Sequence, residues 1–290
     1  MSKILVAGAT GQQGGTVVDH LLADGHEVYG LTRDSSSAKA RALANSGVSV
    51  VEGDLRDAAR MAECCAGMDG AFLVTTFFED GTDVEVEQGQ TFATAAAEAG
   101  VDHLVFSSVG GADRDTGLAH FESKWAVERH IADLGVDASV IRPVFFMQNF
   151  ETMLGGEISA GRLPMPLEPG VDLQLVDATD IGRVAAMAFD DPERFVGATI
   201  ELAGDERTLE SIAGAFGAHL GSEVEPIHVD VEDYRTEAGD ELADMFRWFN
   251  EVGYDSDVDS LHGQWGIDPA DLETYLATSD YWRPAPATTR

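Results

Sequence analysis

The clearest chemical signal in the 290-residue chain is the run GATGQQG, from Gly8 to Gly14. Its spacing is G-x-x-G-x-x-G, and it directly follows an apolar run and opens a stretch of helical composition. Glycine suits such points because the turn needs unusual backbone angles, a pyrophosphate must approach bare backbone, and the helix must pack closely on the strand. The helix N-terminus then offers free N–H groups and the positive end of a dipole. The run predicts a nucleotide cofactor held by Gly8, Thr10, Gly11, Gln12, Gln13 and Gly14, against the plainer reading of a structural turn. About 20 residues on, an NAD site usually presents an acidic side chain to the ribose hydroxyls, whereas NADP needs a cation for its 2′-phosphate. Here the second apolar run ends in Thr32 and Arg33, which points to NADP; Asp34 adjoins them and could serve NAD instead.

The elements that must position this loop are visible as short apolar runs at regular spacing: residues 4–7, 26–31, 48–51, 70–74, 103–107 and 138–142. Helical stretches separate them, at 14–23, 38–45, 58–66, 84–99 and 121–134. Strands alternating with helices imply parallel pairing through right-handed crossovers, and nearly all-apolar strands imply a sheet covered on both faces. The expectation is an α/β protein, a Rossmann-type doubly wound parallel sheet with a smaller, mostly helical C-terminal lobe. The cofactor domain is placed at residues 1–150, with 173–204 adding a helix and a last strand. Residues 151–172 and 205–290 form the lobe, helical apart from one short strand at 223–229. The RPAPATTR end reads as frayed.

Composition sets limits. Lys and Arg total 18 against 52 Asp and Glu, a formal charge of -34, yet 44% of residues are hydrophobic, enough for a sizeable core. Only three residues are lysine (Lys3, Lys39, Lys124), and the acids recur in every region. Such a surface fits multimolar salt, where the Debye length falls to about 3 Å at 1 M, and predicts a cytoplasmic protein of an extreme halophile. A phosphate backbone would be repelled, so direct nucleic-acid binding is not expected. No apolar run approaches the roughly 18 residues that span a bilayer, and MSKILVAGATG has no signal-peptide pattern, so no membrane is expected as partner. Cys64 and Cys65 are adjacent, poor disulfide partners, and read as packed at a helix end; the histidines lack metal-ligand spacing, so no metal is expected.

The chain resembles the atypical short-chain dehydrogenases/reductases of the NmrA-like family. The resemblance is carried by GATGQQGG (8–15), LTRD (31–34), EGDL (52–55), VTTF (74–77), FSSV (106–109), AHFESKWAVERHI (119–131), RPVFFMQNF (142–150) and DATDIG (177–182). It implies NADP at the C-terminal ends of the strands. It also implies that Asp54 and Leu55 lie near the adenine, that Thr75, Thr76 and Phe77 flank the middle and nicotinamide end, and that Pro143 is a cofactor contact. Short-chain dehydrogenases usually set a Tyr and a Lys four residues apart on one helix face, the lysine's charge lowering the phenol's pKa from about 10. Here the spacing reads His120-Phe-Glu-Ser-Lys124, and the tyrosine is absent. Lys124 is expected at the nicotinamide ribose; His120 is either a proton donor or a packed side chain.

Ser107 and Ser108 could bond a substrate carbonyl. Phe78, Phe145, Phe146, Met147, Asn149 and Phe150 could line a pocket for a flat acceptor such as a quinone, or the aromatics could join two lobes. Two functions follow. The first is a nucleotide-responsive regulator with a protein partner, motivated by the missing tyrosine. The second is an NAD(P)H-dependent reductase of quinones or similar small aromatic acceptors, motivated by the intact loop, Lys124 and His120.

Overall fold

The computed structural model describes residues 1–283, so the RPAPATTR end lies, from residue 284 on, outside the described residues. The chain divides into two compact units. One holds Met1–Pro143 and Ala178–Glu201; the other holds Val144–Asp177 and the residues from Leu202 on.

In the first unit strands and helices alternate: β1 (Lys3–Val6), α1 (Gln12–Ala23), β2 (Glu27–Thr32), α2 (Ala38–Asn45), β3 (Ser49–Glu52), α3 (Ala58–Cys65), β4 (Gly70–Val74), α4 (Thr82–Ala99), β5 (His103–Ser107), α5 (Ala119–Leu134) and β6 (Ala138–Pro143). The sheet order is β3-β2-β1-β4-β5-β6, completed by the strand Thr199–Leu202. β1 to β6 pair in parallel throughout. Strand order reverses between β1 and β4, the point where open α/β sheets bind ligands.

Both faces are covered, which is why the strands read as apolar runs. Leu5, Leu73, Leu104 and Phe106 join Met61, Phe92, Ala96 and Val127 of α3, α4 and α5 in one core. Strand alternation sends Ile4, Val6, Phe72 and Val105, all buried, to the other face. Two helix pairs approach closely through glycine. A Cβ at Gly89 of α4 would lie 2.4 Å from Val127 Cγ2 of α5, and one at Gly182 would lie 2.5 Å from the Thr16 carbonyl carbon of α1. The Gly182 helix, Ala178–Asp190, also takes a hydrogen bond from Thr16 Oγ1 at the Ala178 carbonyl, 2.9 Å.

The expectation that 173–204 adds a helix and a last strand is refined. Asp172–Val176 is a strand, and the helix begins only at Ala178. That strand lies in the second unit, between Phe145–Phe146 and Asp205–Thr208. A second pair, Arg162–Met165 with Glu225–His228, runs parallel. The rest of this unit's regular structure is helical, around an aromatic core in which Phe145 meets Phe150, Phe246 and Phe249, and Phe150 meets Phe216. Among the described residues no helix is long and apolar enough to cross a membrane.

Cys64 and Cys65 close α3, unbonded and buried in the first unit's core. Burial pushes both thiols up, Cys65 to about 12, so neither forms the reactive thiolate near neutral pH. At pH 8 iodoacetamide is expected to leave both unlabelled in the native protein and to modify both once denaturant unfolds it. Rapid labelling of the native chain would contradict their placement.

Candidate cofactor site

At the C-terminal ends of β1, β2 and β4 the first unit holds a cavity of about 430 Å³. Gly8 and Thr10 of the glycine turn line it. Gly8 sits at φ +65°, and its own Cβ would fall 2.9 Å from Val74 Cγ1. The Gly11 amide donates to the Gly8 carbonyl at 2.8 Å, closing the turn. A Cβ at Gly14 would lie 2.3 Å from the Gly8 oxygen. The turn thus brings the start of α1 against the end of β1, and no side chain caps that helix at Gly11. A helix N-terminus whose first amides no side chain caps is the arrangement that binds phosphate.

The cavity gathers Gly8, Thr10, Thr32, Arg33, Asp54, Leu55, Thr75 and Thr76 from the sequence-derived set. Gly11, Gln12, Gln13, Gly14, Phe77, Lys124 and Pro143 are not in its lining. Gln13 instead accepts at Oε1 a hydrogen bond from Ser107 Oγ, 2.6 Å away, which ties the glycine turn to the end of β5. The buried Pro143 ends β6, where its carbonyl accepts from the Gly110 amide at 2.9 Å.

Each wall has an electrostatic character. Arg33 forms a two-pronged pair with Glu79, at 2.5 and 3.0 Å, both side chains more than half exposed. Lys39, at the start of α2, donates from Nζ to the Thr10 carbonyl at 3.3 Å. Asp34 is engaged in its own turn, accepting from the Ser36 amide at 2.8 Å and hydroxyl at 2.6 Å, bonds that hold its carboxyl below the usual range. Asp54 faces Arg56 at 3.1 Å and is likewise held low. Lys39 and Glu79 escaped the sequence reading. The signal for Lys39 was its rarity, one lysine among three; Glu79, one acid among 52, offered none.

Beyond the cavity, Lys124 is buried with all three of its N–H donors engaged. Nζ lies 2.7 Å from the Thr75 carbonyl, 3.0 Å from Thr75 Oγ1 and 3.0 Å from Glu85 Oε1. Glu85 is fully buried, also meets Thr75 Oγ1 at 3.2 Å, and accepts from Ser123 Oγ. His120 is buried, stacked on Phe77 with centroids 4.9 Å apart and edge-on to Phe121 at 4.8 Å. Phe78 continues the stack at 4.1 Å from Phe77 and is 75% exposed. Ser108 donates to Glu128, which is also paired with buried Arg142 at 2.7 Å. In the second unit Phe145, Met147 and Phe150 are buried within that unit's own core, while Phe146 and Asn149 are half-buried.

Residues 1–281 match the model of the NmrA-like family. The chain belongs to the NmrA-like family. This is the family that the glycine loop and the seven further motifs pointed to. Among its relatives, an NAD(P)H azoreductase of Xenophilus azovorans is 34% identical over 191 residues, 65% of this chain and 64% of that protein. The fold is shared with the NADPH-dependent quinone oxidoreductase QOR2 of Escherichia coli, solved with NADPH, at a TM-score of 0.80 and 23% identity over 93% of this chain and 97% of that one. It is shared too with NmrA, a negative transcriptional regulator solved with NADP, at a TM-score of 0.76 and 21% identity over 97% and 98%. The Rossmann-type α/β class expected from the strand and helix rhythm is thereby established.

Proposed function

We propose that this chain binds NADP(H), with NAD as a second nucleotide, and acts as a nucleotide-responsive regulator with little or no classical dehydrogenase activity. The observation that carries the reading is Lys124. Its three donors are satisfied by Thr75 and Glu85, and the position four residues before it holds His120 in place of a tyrosine. A lysine neutralised by a buried carboxylate has no phenol to activate. The NADP complex of the regulator NmrA supports this reading.

In the bound state the pyrophosphate lies on the amides of Gly11 to Gly14, Asp54 and Leu55 flank the adenine, and Thr75, Thr76 and Phe77 flank the nicotinamide half. Lys124 and Pro143 border the nicotinamide ribose. Arg33 and Lys39 are the cations available to the 2′-phosphate. Replacing either by Ala is expected to weaken NADP about 10-fold or more, the scale of one charge-assisted hydrogen bond, and to weaken NAD far less. Calorimetric titration checks this, and equal losses for both nucleotides would show that neither cation reads the phosphate.

A second reading, an NAD(P)H-dependent oxidoreductase of quinones or similar small acceptors, is favoured by the Phe78-Phe77-His120 stack, a flat aromatic surface with one exposed end. The nicotinamide supplies hydride when bound; Phe78, Ser107 and Ser108 of the first unit are the proposed acceptor contacts, and His120 the proton donor. The azoreductase and QOR2 support it. NADPH consumption with a panel of quinones, dyes and aldehydes, alongside Lys124→Ala and His120→Phe, separates the two. Turnover dependent on either side chain would retire the pure regulator. We assign the setting to the high-salt cytoplasm of a halophile. A melting temperature that stays flat or falls from low salt to several molar KCl would contradict that setting.

A further inference from the structure

The cation that closes β2 already has an anion on it. Glu79 grips Arg33 with both carboxylate oxygens, at 2.5 and 3.0 Å from the two terminal nitrogens, and the guanidinium holds the Glu79 carboxyl below its usual range, so the anion persists at neutral pH. A planar fork of this kind is the geometry in which arginine binds a phosphate as readily as a carboxylate. Glu79 lines the same cavity as Arg33 and Thr10, so both side chains lie where the nucleotide must go. Its segment runs from the end of β4 through Thr75, whose carbonyl takes the Lys124 ammonium, and Phe77, which stacks on His120, to the start of α4. The pair therefore ties the adenine-side cation to the loop on the nicotinamide side.

We propose that Glu79 is a specificity-determining residue of this cleft. Its carboxylate stands in for a phosphate on Arg33, and NADP must displace it. NAD, which carries a hydroxyl in place of the 2′-phosphate, leaves the pair intact. Glu79 thus lowers the preference for NADP over NAD, and only NADP releases the 75–81 segment from Arg33. The inference rests on the cofactor reading above.

The test is calorimetric titration of the full chain and of Glu79→Gln with NADP and with NAD at low salt, repeated in an Arg33→Ala background. Glutamine keeps the size of the side chain and removes its charge. The ratio of NADP to NAD affinity is expected to rise about 1.5- to 5-fold, the range set by exposed ion pairs, and to stop responding to Glu79→Gln once Arg33 is alanine. A ratio that is unmoved or falls overturns the role of Glu79 while the cofactor reading stands. If the unaltered chain binds neither nucleotide, the cofactor reading falls and this inference with it. A ratio that rises equally in the Arg33→Ala background also overturns it, since the effect would then not pass through the arginine.

Discussion

Gly14→Ala is expected to weaken NADP by at least about 100-fold, while Gly15→Ala, one residue on, is expected to bind nearly as well as the unaltered chain. The difference is steric. A methyl at Gly14 would lie 2.3 Å from the Gly8 oxygen, 2.6 Å from the Gly8 carbonyl carbon and 3.0 Å from the Ala7 oxygen, all of them backbone. None can swing aside as a side chain would, and Gly8 is fixed by its positive φ and by the Gly11 amide. Helix α1 would have to retreat, but its other side touches the helix Ala178–Asp190 at Thr16 and Gly182. The expected result is a displaced helix terminus whose amides no longer reach phosphate, with a stability loss of about 1–3 kcal/mol from overpacking. At Gly15 the nearest atom to an added methyl is 3.8 Å away, and alanine should stabilise the helix by up to about 1 kcal/mol. Nucleotide titration and urea unfolding of both variants check the pair; tight NADP binding by Gly14→Ala would contradict the phosphate-loop assignment.

Glu85→Ala is expected to cost about 3–5 kcal/mol of stability, because it would leave the Lys124 ammonium buried without its counter-charge. Thr75 can still accept from Nζ but cannot neutralise it, and Ser123 would lose its acceptor as well. Lys124→Met should be destabilising for the mirror-image reason, an orphaned carboxylate with no exposure to water. The double variant Glu85→Ala with Lys124→Met removes both charges together. Its loss is expected to fall well short of the sum of the two single losses, the signature of coupled neighbours. Urea denaturation of the four proteins tests this. Additive losses, or a single loss below about 1 kcal/mol, would mean that the pair does not hold β4, α4 and α5 together.

The fold was readable because its signals are local. Each strand is a short apolar run, and the glycine spacing sits in one turn between β1 and α1. The cavity wall was readable where it follows directly from a strand end, as at Arg33, Asp54 and Thr75. It was unreadable where partners converge from distant positions: Glu79 reaches Arg33 across 46 residues, and Lys124 reaches Thr75 across 49. In a chain with 52 acids, no composition argument distinguishes Glu85 or Glu79 from solvated neighbours. The aromatic run at 145–150 carried too little information for a related reason. A buried phenylalanine looks the same in sequence whether it faces a ligand or, like Phe145 and Phe150, packs on Phe246, Phe249 and Phe216.

The crossing of Thr16 against Ala178 and Gly182 bears on biosynthesis. The glycine turn is made within the first 14 residues, yet the helix that braces α1 is made only after the whole 144–177 excursion has been translated. A nascent chain ending at Pro143 carries the glycine motif, Arg33, Lys39 and Lys124 but not the brace. A fragment ending there is expected to need residues 178–190 supplied, in cis or as a separate peptide, before its glycine turn takes the geometry of the full chain.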